Sequence, residues 1–268
     1  MTSMPNGTVL CDVESDIATI TLNRPESLNS MTNELMADIS AAVAVAEDNA
    51  RVLVLTGAGR GFCSGADLSG VEQPAEGEKL GAEAGLAVAR GMDDFFHPAI
   101  LALKEASIPT IARINGVAGG GGLGLSLTCD ISIAARSAFF VATFGPRLGI
   151  VPDLGTTWSL PQRVGRARAL GITMLGDRFT ADEAADWGLI WKTVDDDQLD
   201  AEVDRVANIL VRTSADAMTR IRSSVETAGE RSFAAQLDVE RDHQKVLIPK
   251  NMAEGAAAFL EKREPDFG

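Results

Sequence analysis

Apolar and polar positions change rhythm along the chain, and each change marks an element. The stretch GTVLCDVESDIATITLN carries two short runs of β-type residues around an acidic turn, which predicts two strands. Residues 32–48, TNELMADISAAVAVAED, switch to helical spacing behind a threonine, without a full capping box. RVLVLTG is short and continuously apolar, the pattern of a strand buried on both faces, and the loop AGRGFCSGADL follows it. Residues 79–105 return to helical spacing, interrupted by Gly81, Gly85, Gly91 and Pro98. PTIARIN predicts the next strand, then come a glycine run, a short helix and the strand DISIAA. Strands alternating with helices predict a mostly parallel α/β core. After WGLIWKTV the rhythm is helical only, over residues 197–262. The pattern therefore divides into a core over 1–196 and a helical C-terminal region over 197–268, with no internal repeat.

Composition narrows the function classes. The chain has 268 residues, 46% of them apolar, which is ample for a large core. A net charge of −14, from 24 basic and 38 acidic residues, disfavours nucleic acid and anionic membranes as partners. It leaves room for a small anionic ligand held by a local basic rim. No apolar run reaches the ~18 residues of a membrane span, so no membrane association is expected. The first residues, MTSMPNGTVL, lack the basic flank and apolar stretch of a secretory signal. Cys11, Cys63 and Cys129 fit neither a disulfide framework nor a zinc site, and a cytoplasmic location is expected.

The candidate chemistry sits in NGVAGGGGLGLSLTCD, residues 115–130. Side-chain-free residues at a helix start leave backbone N–H groups bare, and bare N–H groups attract negative charge. Gly119, Gly121 and Gly124 match G-x-G-x-x-G, yet FFVATFGPR offers no acid for a ribose. The earlier junction TGAGRGFCSG lacks the Gly-Lys-Ser/Thr ending of a phosphate loop. A packing role for the glycines also fits. Both junctions follow a buried strand, however, so N–H groups from two loops can converge at the carboxyl end of one sheet, which is the make-up of an oxyanion hole.

NRPESLNSM, GRGFCSGADL, INGVAGGGGLGLSLTCDISIAA, LGIVPDLGTTWSLPQRVG and ADEAADWGLIWKTV together resemble the enoyl-CoA hydratase/isomerase (crotonase) family, and EGAAAFLEKREPDF resembles its closing helix. The resemblance spans essentially the whole chain. It implies an α/β fold, a spiral of ββα units with an all-helical C-terminal trimerisation region. It implies an acyl-CoA thioester as substrate, with coenzyme A entering as part of that substrate, and no cofactor or metal. The family's oxyanion donors fall on the N–H groups of Ala66 and Gly121. Its CoA contacts fall on Ser64, Asp67 and Leu68, on Gly120 beside the hole, on Arg24 near the phosphates, and on Phe259 and Lys262 reaching from an adjacent subunit. A homotrimer, or a hexamer of two trimers, is the implied assembly.

The family's hydratases use two glutamates. Their places here are Gly124 and about Phe144, so ordinary hydration lacks its acid and base. One acid remains at a place the family uses, Asp153 in GIVPDLGTT. A single carboxylate can take a proton from one carbon and return it to another, which is isomerisation. Alternatively Asp153 caps the helix opening at GTTWSL. IVPDLGTTWSLPQRVGRARAL, WGLIW and QLDVERDHQ are most similar to the epoxyphenylacetyl-CoA isomerase branch, which also has Phe at the second glutamate place. The expected function is a Δ3-to-Δ2 double-bond shift or isomerisation of a ring epoxide. A hydratase recruiting Asp93 or Asp94, a silent acyl-CoA binder and a nucleotide-binding module remain as rivals. His97 is expected to pack or to lie at the surface, Cys63 to pack among small residues, and Trp158, Trp187 and Trp191 to pack the core.

Overall fold

The computed structural model describes residues 2–69 and 79–267. The chain opens with β1 (Thr2–Ser3), β2 (Val9–Glu14) and β3 (Ile17–Leu22). Ser15 and Asp16 join β2 to β3 with φ of 51° and 63°. Two successive positive φ values make the tight hairpin whose twist matches its strands. Helix α1 (Asn33–Asn49) starts where Thr32 accepts a hydrogen bond from the Leu35 N–H at 3.3 Å. Strand β4 (Val52–Gly57) is buried at all six positions, as its continuous apolar run predicts. It is followed by β5 (Gly61–Cys63).

Helix α2 (Ala82–Gly91) passes through a π-helical turn, Met92–Phe96, into α3 (His97–Lys104). Gly85 stays inside α2, and Gly91 keeps helical angles. The expected interruptions are thus one widened turn. It lies immediately ahead of Pro98, whose ring would otherwise clash with a carbonyl of the preceding turn. Then follow β6 (Thr110–Ile114), β7 (Val117–Gly119), α4 (Gly121–Thr128), β8 (Ile131–Ala135) and β9 (Phe139–Val141). Helix α5 (Thr156–Leu175) is broken at Gly165, where φ 74° and ψ 165° are not helical. Strand β10 (Arg178–Thr180), α6 (Ala181–Asp186) and β11 (Lys192–Val194) complete the sheets.

Two sheets result. The larger runs β1-β2-β3-β4-β6-β8-β11 and is parallel from β3 onward, as the alternating pattern predicts. The smaller runs β10-β9-β7-β5, with β5, β7 and β9 parallel. The apolar rhythm does not predict this second sheet as a unit, because strands of three residues are too short to show a period. Helices α7 (Leu199–Val211), α8 (Ala215–Glu226) and α9 (Phe233–Glu261) end the chain. Helix α7 packs across β4, β6 and β8, whereas α9 lies along α8. Arg222 fastens α8 to the core by donating to the Ile108 carbonyl at 2.8 Å and to Asp130. Among the described residues no helix is long and apolar enough to cross a membrane.

Candidate active site

The two glycine-bearing loops meet. A side-chain carbon at Gly65, which has φ 101°, would stand 2.9 Å from the Gly119 carbonyl and 3.3 Å from the Gly121 nitrogen. Only glycine allows this approach. The loop after β5 is fixed by its main chain: the Met31 N–H donates to the Gly65 carbonyl (2.8 Å) and the Asp67 N–H to the Met31 carbonyl (2.9 Å). Between those bonds the Ala66 N–H has no internal acceptor among the described residues. Gly121 opens α4, so its N–H has no carbonyl one turn back within the helix. Helix α4 is buried at every position, as its apolar composition demands.

Asp153 enters from the other side. A side-chain carbon at Gly121 would lie 3.0 Å from Leu154 Cδ1, 3.3 Å from Met31 Sδ and 3.7 Å from Asp153 Oδ1. That carboxylate oxygen is buried and has no hydrogen-bond partner. Burial pushes the Asp153 carboxyl up from its ordinary range, and its own backbone N–H and His97 counter this in part. The carboxylate does not cap α5. Gly155 occupies the cap position with no side-chain bond, and it is the carbonyl of Asp153 that accepts the Thr156 N–H at 2.9 Å.

One turn along α4, the Gly124 face is filled. A side-chain carbon there would stand 2.6 Å from Thr156 Oγ1 and 2.9 Å from the Leu154 carbonyl. Thr156 is fully buried, and its hydroxyl too has no partner. Phe144 is buried in the core. Met31, Leu154 and Thr156 join this site without any warning in the sequence, where no signal marks which side chain fills the space beside a glycine.

The remaining expected residues divide. Arg24 directs its guanidinium inward, to the Ser30 hydroxyl (3.0 Å) and Asp67 Oδ2 (2.8 Å). Hydrogen bonds from Ser69, then from Arg24, hold the Asp67 carboxyl below its ordinary range. Arg24 and Asp67 thus brace the 64–68 loop, and the Ser64 hydroxyl pins it to the Ser27 carbonyl at 3.1 Å. Leu68 is exposed beside them. Gly120 turns the chain with φ 50°, and its N–H donates to the Val141 carbonyl at 2.9 Å. Phe259 is exposed near the end of α9, and Lys262 closes that helix with φ 53°. No hydrogen bond or ion pair joins either side chain to the 64–68 loop among the described residues. His97 faces Asp93 at 3.3 Å, both exposed, and His243 meets the Ser224 hydroxyl at 3.0 Å, tying α9 to α8. Of the tryptophans expected in the core only Trp187 packs against it, 5.3 Å from the Phe179 ring, whereas Trp158, beneath Lys104, and Trp191 are exposed. Cys63 lies buried with its thiol pushed up to about 12, which makes it a poor nucleophile. The described residues contain no group of three or more His, Cys, Asp or Glu able to hold a metal ion.

The enoyl-CoA hydratase/isomerase family model matches residues 12–268. The chain belongs to that family. It is 40% identical over 262 residues to the 1,2-epoxyphenylacetyl-CoA isomerase of Escherichia coli K12, covering 97% of each protein. It is 36% identical to a probable enoyl-CoA hydratase of Rhodobacter capsulatus, again over 97% of each. An enoyl-CoA hydratase from Polaromonas sp. JS666 shares the fold with a TM-score of 0.87 and 32% identity, over 96% of this chain and 98% of that one. A Thermobifida fusca YX protein assigned as an enoyl-CoA hydratase, solved in complex with CoA, matches with a TM-score of 0.81 and 31% identity over 92% and 95%. The protein is accordingly a crotonase-fold enzyme, and its relatives carry both isomerase and hydratase names.

Proposed function

We propose that this crotonase is an acyl-CoA isomerase that moves a double bond from the Δ3 to the Δ2 position, or isomerises a ring epoxide of an aryl-acetyl-CoA, with Asp153 as its one acid–base group. The carrying observation is the unpartnered Asp153 carboxylate oxygen beside Gly121, together with the filled space at Gly124. In the double-bond shift, the carboxylate takes a proton from C2 of a 3-enoyl-CoA. The electron pair moves into the thioester, and the dienolate charge rests on its oxygen. The N–H groups of Ala66 and Gly121 hold that oxygen, each lowering the barrier by about 3 kcal/mol. The same proton then returns at C4, so atoms and charge balance with no water consumed. A raised carboxyl pKa suits both halves of this transfer.

The CoA part of the substrate is assigned to the 64–68 loop with Gly120, at a rim braced by Arg24. The CoA complex of the Thermobifida fusca relative supports CoA as a ligand of this fold. No cofactor or metal is needed for these steps. The assembly is proposed to be a homotrimer or a pair of trimers, with Phe259 and Lys262 of α9 serving a neighbouring subunit's CoA. Hydration is disfavoured because position 124 is a glycine whose side-chain space is taken by Thr156 and Leu154, and because Phe144 is apolar.

The test is a panel of trans-3-enoyl-CoA, crotonyl-CoA and an epoxyphenylacetyl-CoA, assayed with the wild type and with Asp153→Asn. The expected outcome is isomerisation by the wild type, a loss of about 10²-fold or more in kcat in the variant, and CoA affinity largely kept. Efficient formation of 3-hydroxybutyryl-CoA from crotonyl-CoA, or full isomerase activity in the variant, would overturn the proposal.

A further inference from the structure

Arg163 is a partly buried cation to which the isomerase chemistry gives no part. It lies on the first segment of α5 and has no carboxylate within ion-pair distance among the described residues. Its guanidinium instead donates to three main-chain carbonyls: from Nη2 to Leu127 (2.7 Å) and to Cys129 (3.4 Å), and from Nη1 to Leu189 (3.1 Å). Burial drives its pKa below the usual arginine range.

The places of those carbonyls give the residue its meaning. Leu127 and Cys129 lie at the C-terminal end of α4, where carbonyls lack intrahelical partners and the helix dipole is negative. Another carbonyl of that end, Ser126, is taken by the Ser132 hydroxyl at 2.8 Å. The opposite end of the same eight-residue helix begins at Gly121, beside the Asp153 carboxylate. Helix α5 starts at Thr156, just behind Asp153. Arg163 therefore joins the far end of the helix that carries an oxyanion donor to the helix that follows the base. The break at Gly165 comes soon after Arg163, so the rest of α5 cannot hold this first segment in line.

We infer that Arg163 is a positioning residue that fixes the Gly121 N–H and the Asp153 carboxylate relative to each other, through the C-terminal carbonyls of α4. The inference rests on the isomerase proposal above. Misplacing reacting groups by about 1 Å costs on the order of 10²-fold in rate, while CoA binding, assigned mainly to the separate 64–68 loop, is less affected.

The experiment compares the wild type with Arg163→Met on a trans-3-enoyl-CoA, with active sites counted by calorimetric titration of CoA itself. The expected result is a kcat per CoA-binding site lowered more than about tenfold, with the Kd for CoA within about threefold of wild type. A smaller fall in kcat, or a fall matched by an equal loss of CoA affinity, overturns the inference. Where Arg163→Met does not fold, Arg163→Gln is judged by the same thresholds. Amide hydrogen exchange supplies a readout independent of turnover: residues 121–128 and 153–160 are expected to exchange faster in the variant, with β2 and β3 unchanged. Unchanged exchange in those two segments overturns the inference. A wild type that isomerises nothing sinks the isomerase proposal instead, and the exchange measurement still judges Arg163.

Discussion

Asp153 holds a carboxylate oxygen in a buried place with no hydrogen-bond donor, and such a placement costs stability when the group is charged. The direction follows from its raised pKa. Folding favours the protonated acid, so the residue's contribution is fully present below the ordinary 3.8 and is lost as pH rises through the raised value. Asp153→Asn is neutral throughout. It is therefore expected to melt higher than wild type at pH 7, by about 2–4 °C for each kcal/mol relieved, with a smaller gap at pH 4. Thermal melts of both proteins at the two pH values check this, and a lower melting point for the variant at pH 7 contradicts it. Turnover has the opposite sign, because the base works only when ionised. In the wild type kcat should rise with pH along a limb lying above the ordinary aspartate range. The same residue then weakens the fold and performs the proposed chemistry, the trade-off expected of a strained site.

At the scale of elements, the decisive feature is how α4 meets the turn leading into α5. Gly124→Glu would place a carboxylate where the family's hydratases have one, yet its first side-chain carbon meets Thr156 Oγ1 at 2.6 Å and the Leu154 carbonyl at 2.9 Å. The backbone contact cannot give way cheaply, so overpacking should cost about 1–3 kcal/mol. The expected outcome is a lower melting temperature and no gain in hydration of crotonyl-CoA, read by loss of enoyl absorbance. A hydrating variant of normal stability would show that the turn moves freely. This packing also marks where sequence stops being informative. The strand–helix alternation, the buried character of β4 and the convergence of two glycine loops are legible, because each leaves a period or a residue type. Assigning Ala66, Gly121 and Asp153 to one chemistry requires the family resemblance, since Ala66 and Asp153 lie far apart in the chain and share no local pattern. The filling of the Gly124 face by Leu154 and Thr156 leaves no trace in the sequence, and neither do the three-residue strands of the second sheet. Both depend on contacts between distant segments.

At the scale of the whole molecule, the C-terminal helices leave a large apolar surface uncovered. Helix α9 spans 29 residues, yet only Ala258 along it is buried. Phe233 and Phe259 are each 82% exposed, and Leu237, Ile248, Met252 and Leu260 are exposed with them. Apolar surface on this scale marks an interaction face. The occupant proposed above is a second and third copy of the same chain, joined around a closed symmetry axis. Light scattering behind size exclusion is then expected to give roughly 85 kDa, three times the 28.2 kDa chain, or twice that for paired trimers. Phe259→Asp places a charge on this face without touching Gly121 or Asp153. If α9 completes a neighbour's CoA site, the variant should shift toward smaller species and show a raised KM for CoA esters, with kcat of the saturated enzyme within about threefold, the pattern of lost uniform binding. A monomeric wild type with full activity would instead mean that each chain binds CoA by itself, and that the apolar face of α9 serves some other contact.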